Sequence, residues 1–217
     1  MRIRLNIVGW TSDVPVMATT DSDKIAYCRC MDDVRRRLGI LASLTGGRAS
    51  VGDESADAEI ACLQVRKILE QIAFASLAAS RKLYATARPK FMYEWRATQI
   101  LDQLATLHAD FYPKAVVPSK VGANRWHFDF RADGFLTKED FVFLYDTSTD
   151  VLHAWNPFGK RPAVIDFKRP LAEWAARIES LLSFHLIRLL DQPDVLLVQL
   201  KGDDGKANVL TASPQAG

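Results

Sequence analysis

From Asp53 to Arg88 the chain contains no glycine and no proline. A stretch that long without a breaker is committed to helix, and the residue types decide how that helix is used. Asp53 or Ser55 can accept hydrogen bonds from the free amides of its first turn, and Asp57 and Glu59 suit the positive end of the helix dipole. Between Ile68 and Ala79 apolar side chains fall on nearly every side. A helix that is apolar all round must be surrounded by other elements. The expectation is a central helix reaching about Ala87, with the rest of the chain built around it.

The flanking patterns supply the surroundings. Ile25, Cys28, Met31, Val34, Leu38 and Leu41 form a three-to-four stripe on a helix capped by Asp21 or Ser22 and stopped by Gly46 and Gly47. A further helix is expected from Tyr93 to His108, with Trp95, Ile100, Leu101, Leu104 and Leu107 inward. Thr137 followed by Glu139 and Asp140 marks the start of another, which carries His153 near its end and stops at Asn156 and Pro157. The last is expected over Leu171 to Leu190.

Strand signals are fewer. Ile3, Leu5 and Ile7 alternate with Arg2, Arg4 and Asn6, and Trp126, Phe128 and Phe130 alternate with polar residues. Tyr112 to Ala123, with Pro113, Pro118 and Gly122, reads as a connection. Val195 to Val198 and Val209 to Ala212 flank Asp203-Asp204-Gly205-Lys206, a hairpin turn because Asp-Gly tolerates positive φ. The predicted fold is mainly α: one domain over residues 1–217, a helical bundle over about 21–190, and a small antiparallel sheet made by the N-terminal strand and a C-terminal hairpin over about 194–212.

Bulk properties bound the function. A formal net charge of +2 gives no broad nucleic-acid or membrane surface. Three cysteines, Cys28, Cys30 and Cys62, have no metal-ligand spacing and suit a reducing compartment. No secretory leader and no bilayer-length apolar run is present, so a cytoplasmic protein without a membrane partner is expected. No cofactor or metal pattern occurs, since His127 and Asp129 on one strand face are only two ligands.

Chemistry is hinted at in few places. Asp150 and His153 are three apart, so a carboxylate on the same helix face can orient the imidazole, and Asn156 follows one turn later as a donor to a phosphate or sugar oxygen. A histidine in a last helical turn also serves as a plain cap on the dipole. Arg66 and Glu70, four apart on the central helix, form either an internal ion pair or the wall of a polar pocket that faces His153. Basic clusters at 35–37, 81–88, 160–161 and 168–169 are solvated surface, unless they converge with Trp126, Trp155 and Phe158 into a groove for a single strand. Gly46 to Gly52 precedes a helix start and could hold an anion.

The central-helix segment Cys62-Leu63-Gln64-Val65-Arg66-Lys67-Ile68-Leu69-Glu70, with the later Tyr145 to His153 and Asn156-Pro157-Phe158, resembles bacterial helical proteins of the HEPN-like kind over about residues 53–190. The resemblance implies a helical bundle, often dimeric, in a prokaryotic defence or stress system. It implies engagement of RNA or a nucleotide and, in many members, metal-independent ribonuclease activity. His153, Arg66 and Glu70 then become the catalytic candidates, and Asn156, Asp150 and Tyr145 the substrate-binding ones. The Arg-x4-6-His pattern of the active members is absent, because Asp146, Thr147 and Ser148 occupy that window before His153. The competing expectation is therefore a non-catalytic interaction or regulatory subunit that binds a partner protein or a second copy.

Overall fold

The computed structural model describes residues 2–3, 5–6, 22–79, 94, 96–107, 110–122, 125–154, 158, 165–188 and 195–214. The glycine-free stretch forms the central helix as far as Ala79, and the expected continuation to about Ala87 lies outside the described residues. Helix α1 (Ser22–Thr45) and helix α2 (Glu54–Ala79) make an antiparallel pair. Gly47 ends α1 with φ 67°, a left-handed conformation that costs glycine little, and the amides of Gly46, Gly47 and Arg48 close back on carbonyls of the last turn. Asp53 caps α2, its side chain accepting from the Ala56 amide at 2.8 Å. Buried residues of α2 run from Ala61 to Ser76 and cover most of the helix, leaving the row Leu63, Lys67, Gln71 and Phe74 half-buried or exposed. It packs on α1, on α3 (Ala97–Leu107) and on α4 (Lys138–Leu152).

Thr137 caps α4 as its sequence predicts, accepting from the Asp140 amide at 3.1 Å ahead of an acidic first turn. Thr137→Ala is expected to cost about 1 kcal/mol, the usual worth of such a cap. Urea denaturation checks it, and an unchanged midpoint would count against the cap.

The sheet departs from expectation in extent. Among the described residues it has seven strands in the order β1-β4-β3-β5-β6-β7-β2, antiparallel at every pairing. The strands are β1 (Arg2–Ile3), β2 (Leu5–Asn6), β3 (Lys114–Gly122), β4 (Arg125–Phe130), β5 (Phe184–Arg188), β6 (Val195–Gln199) and β7 (Asn208–Pro214). The N-terminal segment and the hairpin β6–β7 do belong to it, but they are not the whole of it. The stretch expected as a connection is strand β3. Pro118 is tolerated there for a geometric reason. Arg131 N–H donates to Ala115 C=O at 3.0 Å, so residues 115, 117 and 119 turn their backbone groups toward β4. Pro118 turns its donor-less nitrogen to the other side, where β5 pairs only with Lys114 and Ala115. The expected helix over Leu171–Leu190 is also corrected. Helix α5 (Leu171–Leu182) stops at Ser183, and Phe184–Arg188 continues as strand β5.

The strand order closes the sheet. β1 and β2 stand at its two ends, yet only one residue separates them in sequence, so the ends must lie within a few ångströms of each other. Closure explains why both faces are buried. His185, Ile187, Leu196, Val198 and Val209 face the helices and join the main core with α1, α2 and α5. Val116, Phe128, Leu186, Val195 and Leu197 alternate with them and form a second cluster on the face away from the helices. No helix among the described residues is long and apolar enough to cross a membrane.

Candidate functional site

Arg66, Glu70 and Tyr145 come together. Glu70 lies on the buried side of α2, 7% exposed, and a carboxylate there needs compensation. It receives a cation on each oxygen: Arg66 Nε on Oε1 at 3.2 Å and Lys67 Nζ on Oε2 at 2.9 Å. These are the i, i+4 and i, i+3 spacings of one helix. The Arg66 guanidinium also lies over the Tyr145 ring, 5.2 Å from its centroid, with Nη2 3.5 Å from the hydroxyl. Tyr145 in turn stacks on Phe141. Its ring is 6% exposed, so it serves the α2–α4 contact and offers little surface to a substrate.

His153 is placed elsewhere. It is the C-cap of α4, with extended backbone (φ −81°, ψ 131°), and is exposed, as is Asp150. Eight residues separate Tyr145 from His153, which is about 12 Å of helical rise. The guanidinium anchored on Tyr145 and the imidazole at the helix end therefore belong to different parts of the surface. Asn156 and Pro157 lie outside the described residues.

The other candidates resolve one at a time. Arg36 and Arg37 both bind Asp33, and Arg37 continues to Gln64 of α2 at 3.1 Å. Their hydrogen bonds lower the Asp33 carboxyl against the opposing effect of its burial. Lys168 sits over the Phe143 ring at 4.1 Å, and Arg169 and Arg177 flank Trp174. Trp126 packs in the second apolar cluster and Phe158 is almost wholly exposed. The basic and aromatic residues described therefore do not meet in one groove; Trp155, Lys160 and Arg161, as well as 81–88, lie outside the described residues. In the Gly46–Gly52 loop the amides of Gly46 to Ala49 bond the end of α1, Val51 N–H donates to Asp57 and Gly52 N–H to Ser50, so these amides are not directed at an anion. His127 bonds Asp129 at 3.3 Å on the outer face of β4. Among the described residues no group of three or more His, Cys, Asp or Glu side chains could hold a metal. Burial, aided by a neighbouring carboxylate in each case, pushes the thiols of Cys28, Cys30 and Cys62 up to about 11, so all three are protonated and poor nucleophiles.

One buried polar pair escaped sequence reasoning. His185 Nε2 lies 2.7 Å from the Tyr27 hydroxyl, and Nδ1 lies 3.0 Å from Leu182 C=O; both residues are fully buried. A carbonyl only accepts, so Nδ1 carries the proton and Nε2 accepts from the tyrosine. Burial pushes the imidazole down to about 4 and the phenol well above its usual value. This pair ties α1 to β5 as a neutral, satisfied unit inside the core.

No family model matches the chain, and comparison with curated proteins and with solved structures finds no match.

Proposed function

We propose that this chain is a non-catalytic binding subunit, engaging a partner protein or a second copy of itself. The observation that supports this reading is the engagement of Arg66. A metal-independent nuclease needs a cation and a titratable imidazole converging on one phosphodiester, in position before the charge develops. Arg66 instead neutralises the buried Glu70 and packs on Tyr145, two helical turns from His153. The near-neutral net charge of +2 points the same way, because sequence-independent RNA affinity comes from many phosphate contacts.

A second reading keeps the HEPN-like, RNA- or nucleotide-engaging protein of a defence or stress system. One observation favours it: His153 and Asp150 are both exposed at one end of α4, open to a ligand.

Two measurements on the full chain separate them. Sedimentation over a wide concentration range, with capture of binding partners from a lysate identified by mass spectrometry, is expected to show self-association or one saturable partner. Cleavage of a mixed-sequence RNA is expected to be the same for wild type and His153→Ala, at background. RNA cleavage that disappears in a folded His153→Ala chain overturns the binding-subunit reading, and so does a chain that stays monomeric with no partner.

A further inference from the structure

Arg131 differs from the other partly buried arginines in what it holds. It is half-buried, and its Nε is shielded from solvent with no hydrogen-bond partner. Its guanidinium makes no ion pair and no ring contact among the described residues. Arg35 and Arg177 also carry a shielded Nε, but each sets an Nη on a carboxylate, Asp32 at 3.6 Å and Asp140 at 3.1 Å. A guanidinium in a protein stays charged and presents five donors. Partial burial without a counter-charge therefore costs stability and calls for a reason. The sheet fixes where this cation sits. Arg131 N–H donates to Ala115 C=O, and Asp129 and His127 register with Val117 and Ser119. Strand alternation puts all six on one face. The helices cover that face at Ala115, 3% exposed, and leave it open at Val117, 42% exposed.

We infer that Arg131 and the open stretch of sheet beside it are a docking site for a carboxylate, presented by a partner protein on an Asp or Glu side chain. The guanidinium fork matches a carboxylate with two parallel hydrogen bonds. Asp129 lies two positions away on the same face, about 7 Å along the strand, so a dianion such as a phosphate monoester is repelled where a monoanion is tolerated. A nucleic-acid strand brings a charge on every nucleotide, and a lone cation beside a carboxylate offers nothing to the next phosphate. The face is also too open for a small acid. Sites for small ligands enclose most of the molecule, whereas here the remaining contacts must come from a partner lying over Val117. His127 and Ser119 supply a polar rim. His127 Nε2 donates to Asp129 at 3.3 Å, because a carboxylate only accepts, and its Nδ1 has no partner among the described residues. Ser119 Oγ donates to His127 C=O at 3.3 Å and keeps lone pairs for a donor. The inference rests on the binding-subunit reading and specifies the chemistry of the partner.

The test separates docking from scaffolding. Arg131→Met keeps much of the stem and removes the charge. It is expected to raise the urea midpoint of the full chain, because the fold no longer shields an unpaired guanidinium. Binding is read from the Arg131 Nε–H signal in heteronuclear NMR spectra, assigned by its loss in this variant. A short glutamate-rich peptide is expected to shift that signal saturably. Its glutamine twin should bind wild type about ten-fold or more weakly, and so should the glutamate peptide on Arg131→Met, read by fluorescence anisotropy. Arg131→Lys, which keeps the charge without the fork, should fall between. A lowered midpoint in Arg131→Met gives the guanidinium a structural role and overturns the inference. An unmoved signal does so too, as does acetate acting equally at the same carboxylate concentration, or tighter binding of single-stranded RNA or of a phosphoserine twin. A partner captured equally by wild type and Arg131→Met overturns the docking site while leaving the binding-subunit reading intact. A monomeric chain with no captured partner and no peptide binding removes both.

Discussion

Trp174→Ala is expected to lower stability by about 3–5 kcal/mol, the range for a large aromatic removed from a packed core. The side chain is 1% exposed, its Nε1 donates to Phe167 C=O at 2.9 Å, and its ring meets Phe143 of α4 at 6.2 Å. The site cannot collapse easily around the cavity. α5 is held against the start of α4 by Leu136 N–H donating to Arg177 C=O at 3.0 Å and by the Arg177–Asp140 ion pair at 3.1 Å. A loss of that size is a large part of the 5–15 kcal/mol available to a typical domain, so the variant should populate unfolded chain at physiological temperature. Urea denaturation followed by circular dichroism reads it, and Trp174→Phe should fall between the two. A loss below 1 kcal/mol would show that the indole is not a keystone.

Acid should weaken the fold earlier than its carboxylates demand. In the unfolded chain His185 takes a proton near pH 6.5; buried in the core it resists until about pH 4. Above 6.5 both states are neutral and the residue contributes no pH dependence. Between 6.5 and 4 only the unfolded chain binds the proton, so stability falls with pH, by about 3 kcal/mol in all. Asp33 acts in a lower window: its carboxyl is depressed, so its contribution is lost only as pH drops below the ordinary carboxylate range. Unfolding free energies measured between pH 7.5 and 4 should therefore slope downward, and His185→Gln should start lower at pH 7.5 but flatten that slope. An equal slope in wild type and variant would assign the acid sensitivity to other groups. Tyr27→Phe, which strips Nε2 of its partner, should cost about 1–3 kcal/mol at neutral pH.

What the sequence could reveal here was local. The central helix follows from an uninterrupted run of helix formers, α4 begins at the Thr137 cap, and Gly46-Gly47 stops α1, each being a rule that operates within a few residues. The Arg66–Glu70 pair was legible for the same reason, through its four-residue spacing. Strand β5 was not. Phe184 to Arg188 follows a helix with no glycine or proline between, and a short apolar run has no period of its own. Strand β3 was masked by Pro118, whose tolerance depends on which neighbour it turns its back to. The polar contacts that give the candidate residues their roles are longer in range still. Tyr145 meets Arg66 from 79 positions away and His185 meets Tyr27 from 158, and no pattern in the chain announces either.

Leu5 pairs with Pro214, and that one register links residues more than two hundred positions apart. A ribosome making this protein must have emitted residue 214 before that ladder can form. Leu5 and Asn6 therefore wait while some two hundred further residues are made before their β7 partners exist. That ladder is therefore a late event in the making of the sheet, whatever the speed at which its neighbours pair.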